Sequence, residues 1–308
     1  GPGRVSSESG DVRPGQRKYQ RAWRADGPAD AGGATIRRGR IVNLPAAALE
    51  NAVLIVAHPD DEILWFGSVV ERMARIVIVF EDHPDETALG DARRSALAQH
   101  PLASRIESLG MTETGTFDVM DWEQPTIGPR GPELGDRPGS AALREIWQPL
   151  SDTLDTLLDG YRNVFTHNPW GDYGNEEHIL VHHAVNAAAL RHGVRCWYSN
   201  YVSNRSQALM TRYVTNFETP AYSEPVDTAR MQQVAGCYQQ AGCWTWLPGY
   251  RWFDREYFVQ GPLEAREKPA AGSLFPLNFV RLRRAPGGRR SRKTGLLERL
   301  RRRTGKRS

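Results

Sequence analysis

Short apolar runs alternate with longer amphipathic stretches along the central part of the chain. The segment 52–57 (AVLIVA) is apolar at every position, and 75–80 (RIVIVF) is nearly so. Continuous apolar runs of this length are typical of parallel strands that are buried on both faces. Further strands are predicted at 163–166 and 194–201, and helices at 63–74, at 92–109 with a break at Pro101, at 141–158 and at 176–190.

This β-α-β-α order predicts an α/β fold: a single three-layer, Rossmann-like domain with a mostly parallel sheet. We expect the domain to cover 49–260, between a loosely ordered extension over 1–48, which begins with a Gly-Pro-Gly cleavage scar, and a linker with a basic, disordered tail over 261–308. Glycines and prolines over 128–139 predict a loop or lid. Ligands bind such sheets at the carboxyl ends of the strands, so chemistry is expected there.

The charge is unevenly distributed, which changes the meaning of the net value of +4. Residues 281–308 hold 13 basic residues and one acid, 1–48 carry a net +5, and 49–280 carry a net −13. No specific binding of nucleic acid is therefore expected, and the tail lacks aromatic residues that stack on bases. The tail is interpreted as solubilising; weak contact with an anionic membrane through Leu296, Leu297 and Leu300 is the alternative.

The cysteines and the hydropathy bear on localisation. Cys196, Cys237 and Cys243 lack the spacing of metal motifs and favour a reducing compartment. No apolar stretch approaches the roughly 18–20 residues of a membrane-spanning helix. We expect a cytoplasmic protein, peripheral at the inner face of the membrane if the tail contacts lipid. The sequence leaves the oligomeric state open.

Directly after the first predicted strand come His58, Pro59, Asp60, Asp61 and Glu62. One imidazole and three carboxylates in five residues are a dense set of ligands at a strand's carboxyl end. Without a cation, so many carboxylates would repel one another, so a bound metal ion is the natural partner. The alternative is that the acids only cap the helix that follows.

A second cluster lowers the weight of that alternative. The strand at 163–166 is followed by residues 167–178 (HNPWGDYGNEEH), which places His178 in the first turn of a helix at the same edge of the sheet. Two ligands from one loop and one from a distant helix, with an open fourth position, match a catalytic rather than a structural zinc site. His182 and His183 are interpreted as ordinary helix histidines, with His182 packing below the site.

These residues resemble a known family. Segment 57–62 (AHPDDE) is the signature of the PIG-L/LmbE-like de-N-acetylases, and 173–178 (YGNEEH) resembles the family's Y-G-H-x-D-H segment. The resemblance covers about residues 50–200. The segment 166–178 and its flanking sequence are most similar to a bacterial branch of the family that is associated with surface-polysaccharide synthesis. It implies that His58, Asp61 and His178 bind Zn²⁺ or another divalent ion such as Fe²⁺.

The resemblance also implies roles for the neighbouring residues. Asp60 would be the general base, Tyr173 would donate to the oxyanion, and Glu62 would orient a metal ligand. Asn175 replaces the family's first histidine; its amide can still donate a hydrogen bond but does not titrate near neutral pH. This departure leaves the general acid unassigned. Arg93 would contact the sugar or its phosphate, with Arg94 as the fallback; a solvated helix arginine is the alternative.

Taken together, the residues predict a metal-dependent amide hydrolase that removes acetate from an N-acetylated amino sugar, free or linked to a nucleotide or lipid. Two alternatives remain open: hydrolysis of another amide on a sugar conjugate, and a catalytically silent glycan-binding module of the same fold. The aromatic segment 243–258 (CWTWLPGYRWFDREYF) is interpreted as a flap that packs on the domain; a wall that stacks on sugar rings is the other interpretation.

Overall fold

A computed structural model describes residues 23–26, 41–214, 221–246, 250–266 and 276–284 of the chain. The tail from 285 onwards, with its leucine stripe, and most of the N-terminal extension lie outside them. The strands are β1 Trp23–Asp26, β2 Ile41–Asn43, β3 Ala52–Val56, β4 Arg75–Asp82, β5 Ile106–Thr112, β6 Ile127–Gly128, β7 Gly131–Pro132, β8 Asn163–Thr166, β9 Arg195–Ser199, β10 Tyr201–Ser203, β11 Ala221–Pro225, β12 Arg255–Gln260 and β13 Asn278–Arg284. The α-helices are α1 Asp61–Leu64, α2 Thr87–Ala98, α3 Ser140–Glu145, α4 Trp147–Leu157, α5 Glu176–His192, α6 Gln207–Met210 and α7 Thr228–Ala241.

An eight-stranded sheet lies at the centre, in the order β2-β11-β12-β9-β8-β3-β4-β5. The five strands from β9 to β5 run parallel. Strand β12 runs antiparallel to both of its neighbours, β9 and β11. A smaller sheet joins β1, β13 and β10, and β6 and β7 form a hairpin. The predicted α/β fold with a mostly parallel sheet is confirmed.

Helices cover both faces of the central sheet, which gives the three layers. Val53 and Ile55 of β3 pack in one core cluster with α4 and α5. Leu54 and Val56 point to the opposite face and pack in a second cluster with α1, α2 and α7. All five residues of β3 are fully buried. Burial of one large aliphatic side chain contributes about 1.5–3 kcal/mol, so β3 is a main source of stability.

Two predicted helices differ in extent from the observed ones. The helix expected over 63–74 ends at Leu64, and only a 3₁₀ turn at Val70–Arg72 follows. The chain leaves the helix because the backbone N–H groups of Gly67 and Ser68 donate to the buried carboxylate of Glu256. The helix expected over 141–158 is divided at Ile146 into α3 and α4.

The prediction of a helix over 92–109 is wrong after Ala98. Helix α2 ends at Ala98, and Ile106 begins the edge strand β5. Pro101 prevents continuation of the helix. The strand is half-exposed and therefore lacks the continuous apolar run that marked β3. The region 128–139, predicted as a loop or lid, begins with the β6–β7 hairpin, whose Gly131 packs against the backbone of Leu180.

The C-terminal part contributes strands that the sequence did not reveal: β11 and β12 in the central sheet and β13 beside β10. The aromatic segment packs on the domain, with Trp244, Tyr250 and Trp252 buried in the core. Strand β13 lies beyond residue 260, and the domain bounds of 49–260 stay a prediction. Among the described residues, no helix combines the length and apolarity needed to cross a membrane.

Candidate active site

The site lies where β3 and β8 end. These strands pair in parallel in the middle of the sheet, with Ile55 beside Thr166, so the segments that follow them leave the same edge side by side. We call residues 58–62 the first segment and residues 167–178 the second segment. A hydrogen bond connects the starts of the two segments. The backbone N–H of Ala57, just before the first segment, donates to Nε2 of His167 at 2.8 Å. Residues more than 100 positions apart thus form one site.

His58, Asp61 and His178 lie together and are buried, with their ligand atoms within 4.8 Å of one another. Nδ1 of His58 and Nε2 of His178 each lie 3.2 Å from Oδ2 of Asp61. Nε2 of His178 is buried and lacks a hydrogen-bond partner of good geometry. A buried nitrogen without a partner is costly unless something else binds it, and a cation would do so.

The far nitrogens of both histidines contact carboxylates. Nε2 of His58 lies 2.8 Å from Oε2 of Glu177, and Nδ1 of His178 lies 2.8 Å from Oδ2 of Asp172. A carboxylate on the far nitrogen holds the proton there, so the near nitrogen presents its lone pair toward the other ligands. Two oriented imidazoles and one carboxylate therefore fit a divalent metal ion.

Asp60 lies beside this cluster in a constrained position. Its backbone is left-handed, with φ of 95°, which is uncommon for a residue other than glycine. The carboxylate is 2% exposed and accepts a hydrogen bond from the Thr245 hydroxyl at 2.9 Å. Burial, together with the negative charges of Asp61 and Glu62, raises the pKa of Asp60 well above its usual range. Asp60 is thus a desolvated carboxyl group suited to proton transfer.

Glu62 binds the backbone of Asp60. The sequence resemblance had implied that Glu62 would orient a metal ligand. Its Oε2 accepts the backbone N–H of Asp60 at 2.9 Å. Its Oε1 accepts the hydroxyl of Tyr238 at 2.6 Å and lies 3.4 Å from Nε2 of His100. Among the described residues, no hydrogen bond links Glu62 to the three candidate ligands. Its contacts therefore stabilise the left-handed backbone of Asp60.

Tyr173 and Asn175 lie next to each other over the cluster. The side chain of Asn175 caps α5, since its Oδ1 accepts the backbone N–H of Glu177 at 2.8 Å. Its Nδ2 donates to the Tyr173 hydroxyl at 3.0 Å. The Tyr173 ring stacks on Trp65 and meets the ring of His178 edge-on. Burial raises the pKa of Tyr173 well above its usual value, so its hydroxyl stays a donor.

Arg93 is buried in an ion pair and is not the solvated helix arginine of the alternative interpretation. Its Nη2 lies 2.6 Å from Oε1 of Glu113, and its Nη1 donates to the carbonyl of Glu81 at 3.0 Å. Glu113 in turn lies 3.9 Å from Nε2 of His58. Arg94 is exposed and forms ion pairs with Glu81, Asp82 and Asp91. Arg93 is therefore connected to the site through Glu113, which contacts Arg93 and approaches His58.

Several contributing residues were given no role from sequence. His167 stacks on His178 with centroids 3.8 Å apart, and its Nδ1 lies 2.6 Å from Asp172. The position of His167 directly after strand β8 was the available signal in the sequence. Thr245 gave none, because nothing in the sequence places it beside Asp60. His182 is outside the candidate metal cluster; its Nδ1 lies 2.8 Å from the carbonyl of His167, below the site.

Two curated proteins are similar to the chain, and both are named as deacetylases. The 1D-myo-inositol 2-acetamido-2-deoxy-alpha-D-glucopyranoside deacetylase 1 of Saccharopolyspora erythraea is 29% identical over 164 residues, which cover 45% of this chain and 53% of that protein. The 1D-myo-inositol 2-acetamido-2-deoxy-alpha-D-glucopyranoside deacetylase of Kineococcus radiotolerans is 28% identical over 158 residues, or 43% of each. The chain spans about half the length of these relatives. No protein-family model matches it.

Among solved structures, the zinc-inhibited form of teicoplanin deacetylase Orf2 overlaps the chain with a TM-score of 0.44 at 14% identity, covering 69% of this chain and 98% of that one. The antimicrobial reagent A40926 pseudoaglycone deacetylase Dbv21 overlaps with a TM-score of 0.41 at 13% identity, covering 72% and 98%.

Proposed function

We propose that this chain, a member of the PIG-L/LmbE-like de-N-acetylase family, hydrolyses the acetamide of an N-acetylated amino sugar and releases acetate and a free amine. The observation that carries the proposal is the cluster of His58, Asp61 and His178 beside the buried carboxyl group of Asp60. The names of the two curated relatives support the same chemistry. The substrate we propose is an N-acetylglucosamine-like sugar or its conjugate, for which a nucleotide-linked or lipid-linked form is included.

His58, Asp61 and His178 would hold the metal, with Zn²⁺ as the proposed ion and Fe²⁺ as the alternative. Mixed nitrogen and carboxylate ligands suit both ions. When bound, such an ion polarises a carbonyl group and makes a water molecule more acidic. Glu177 and Asp172 would keep the two imidazoles oriented through their far nitrogens.

Asp60 would act as the general base. Its carboxylate would take a proton from the attacking water and, once protonated, return that proton to the departing amine nitrogen. One carboxyl group can serve both steps because the C–N bond breaks after the C–O bond has formed. The contact of Glu62 with the Asp60 backbone would keep the carboxylate aimed at the same place in both steps.

Tyr173 and Asn175 would stabilise the negative charge that develops on the acetamide oxygen. The Tyr173 hydroxyl is the proposed donor, and Asn175 would orient it through the hydrogen bond from Nδ2. Donors that are fixed before the reaction stabilise a developing oxyanion without reorganisation. Arg93 would contribute indirectly, because its partner Glu113 approaches His58.

A substrate panel tests the proposal. Metal-loaded protein is incubated with N-acetylhexosamines and their nucleotide, inositol and lipid conjugates, and acetate and new primary amine are measured. Bound metal is quantified in parallel. We expect near-stoichiometric metal and turnover of at least one N-acetyl sugar. Turnover of only longer N-acyl amides would reassign the substrate, and sugar binding without any turnover would indicate the silent module.

A weak contact of the tail with anionic membranes remains a prediction, because the residues involved lie outside the described part. Co-sedimentation with anionic vesicles compares the full chain with a chain ending at residue 284, which keeps β13 intact. Equal sedimentation of both would contradict the contact.

A further inference from the structure

The segment after α7 reaches back across the sheet edge to the catalytic carboxylate. Helix α7 ends at Ala241, and Gly242 adopts a left-handed conformation that turns the chain toward the site. Cys243 and Trp244 then lie buried in the core. The next residue, Thr245, is exposed, yet its hydroxyl donates to Oδ2 of Asp60 at 2.9 Å. The two residues are 185 positions apart.

We propose that Thr245 is a positioning residue, which holds the Asp60 carboxylate in the rotamer that faces the attacking water. This inference rests on the proposed function. Thr245 does not need to touch the substrate or the metal, because it acts through Asp60. It therefore assigns a role in the reaction to a residue far outside the signature 57–62.

The surroundings of Asp60 support this assignment. Among the described residues, the Thr245 hydroxyl is the one side chain that donates a hydrogen bond to the Asp60 carboxylate. The neighbouring carboxylates of Asp61 and Glu62 repel Asp60, and the positive charge of Arg93 attracts it without a hydrogen bond between the two. Glu62 fixes the Asp60 backbone but leaves the side-chain torsions free. Without a donor, the carboxylate could turn about those torsions.

The position of Thr245 is itself fixed. Trp246, the next residue, contacts both Trp65 and Tyr173 edge-on, with ring centroids 5.2 Å away in each case. Further along the chain, the indole N–H of Trp252 donates to the carbonyl of Ile63 at 2.6 Å. Trp65 and Ile63 belong to the stretch that directly follows Asp60. The segment is thus tied to the same part of the chain that it orients.

Three variants separate a hydrogen-bond role from a packing role. Thr245→Val keeps the shape but removes the donor, Thr245→Ser keeps the donor, and Thr153→Val is a matched control on the exposed side of α4. We expect Thr245→Val to lower kcat about 10- to 100-fold, because a small misplacement of a catalytic group is costly. KM and bound metal should change less than twofold. Thr245→Ser should restore kcat to within about threefold of the parent.

A second measurement is independent of turnover. In protein labelled with carbon-13 at the aspartate carboxyl groups, the Asp60 signal is assigned by its loss in Asp60→Asn. We expect this signal to shift in Thr245→Val and to return in Thr245→Ser. An unshifted signal in Thr245→Val would overturn the contact, and an unchanged kcat would overturn its role. If the parent protein turns over no substrate while the signal shifts as expected, the proposed function fails and the contact stands.

Discussion

The first and second segments serve one site but are held in place by different means. Residues from the C-terminal part of the chain support the first segment and the residue after it: Tyr238 donates to Glu62, Thr245 donates to Asp60, and Trp252 donates to the carbonyl of Ile63. None of these three donors lies within 170 positions of its acceptor. These contacts add to hydrogen bonds within the first segment, in which the backbone N–H of His58 donates to Asp61 and that of Asp60 donates to Glu62.

The second segment combines hydrogen bonds within itself with hydrogen bonds to residues 199–206, which follow it by about 30 positions, among them those from the hydroxyls of Ser199 and Ser206 to Asp172. Oδ1 of Asn168 accepts the backbone N–H groups of Trp170 and Asp172. Asp172 then contacts the imidazoles of both His167 and His178. Its own backbone is left-handed, with φ of 54°. A loop of this length can form turns that satisfy its own polar groups.

This difference separates two ways of losing function. Changes at Asp60 or at its distant supports should reduce proton transfer, because they move its carboxylate. Changes inside the second segment should reduce metal binding or oxyanion stabilisation, because they move His178 and Tyr173. Substitutions at Asp60, Tyr173, Glu256 and Asp172 test that division.

Asp60→Asn should have the largest effect. Asparagine tolerates the left-handed backbone and can still accept the Thr245 hydrogen bond, but it cannot take a proton. We expect kcat to fall by about 10³- to 10⁴-fold, at the upper end of general acid–base contributions. Steady-state kinetics and metal analysis on the same preparation provide the check. Substantial turnover with metal still bound would contradict the role of Asp60.

Tyr173→Phe tests the second segment without disturbing its packing. The phenylalanine ring can keep the contacts with Trp65 and His178, while the hydroxyl is lost. Loss of one oxyanion donor costs about 2.7–4 kcal/mol, so kcat should fall about 10²- to 10³-fold. Tyr222→Phe, at a half-buried position away from the site, is the control. A tenfold or smaller loss would assign the oxyanion to another donor.

Glu256→Gln tests the carboxylate that binds the backbone of Gly67 and Ser68, a few residues after the first segment. The test uses the dependence of stability on pH. Burial raises the pKa of Glu256 to about 7, although Ser68 and Tyr201 donate to its carboxylate. Because the folded pKa exceeds the usual value of 4.5, the protonated group stabilises the fold below about pH 4.5. That stability is lost as the pH rises to about 7. The loss is about 3 kcal/mol for this group.

Chemical denaturation of the parent and Glu256→Gln between pH 4.5 and 8 measures this change. The difference between the two free energies of unfolding should vary with pH by about that amount. Glu224→Gln removes the carboxylate of the residue that pairs with Glu256 across β11 and β12 and is the matched control. A difference that does not change with pH would contradict the raised pKa.

Asp172→Asn should have the smallest effect of the four. Asparagine again tolerates the left-handed backbone but weakens the hold on the far nitrogen of His178. Loss of such an outer partner typically lowers metal affinity about 10- to 100-fold. Competition with a chelator gives the affinity for Zn²⁺, with Asp155→Asn on the surface as control. Unchanged affinity, or an equal loss in Thr245→Val, would break the proposed division between the segments.

The sequence predicted the centre of the molecule well, for physical reasons. Strands β3 and β8 are buried on both faces, so their apolar runs are unambiguous. The residues that follow them had to meet at one sheet edge, which is where His58, Asp61 and His178 lie. Their roles remain proposals, because the cluster alone does not identify the ion or the reaction.

The sequence did not predict features that depend on contacts between distant residues. Strand β5 is half-exposed, and its mixed composition matched a helix as well as a strand. Glu62 is one of three consecutive acids, and only the fold shows that it binds the Asp60 backbone. Thr245 lies in a segment whose aromatic residues indicated packing or sugar stacking, and neither idea concerns its hydroxyl. Local pattern carries no information about such partners.

The reversed direction of β12 has a consequence for how this site can change. In a parallel sheet, only segments that follow strands reach the functional edge. An antiparallel strand also brings the segment that precedes it, and here that segment contains Thr245 and Trp246. It reaches the chemistry without supplying a candidate metal ligand. Exchange of this segment between related chains would therefore change the support of Asp60 and leave the candidate metal ligands intact.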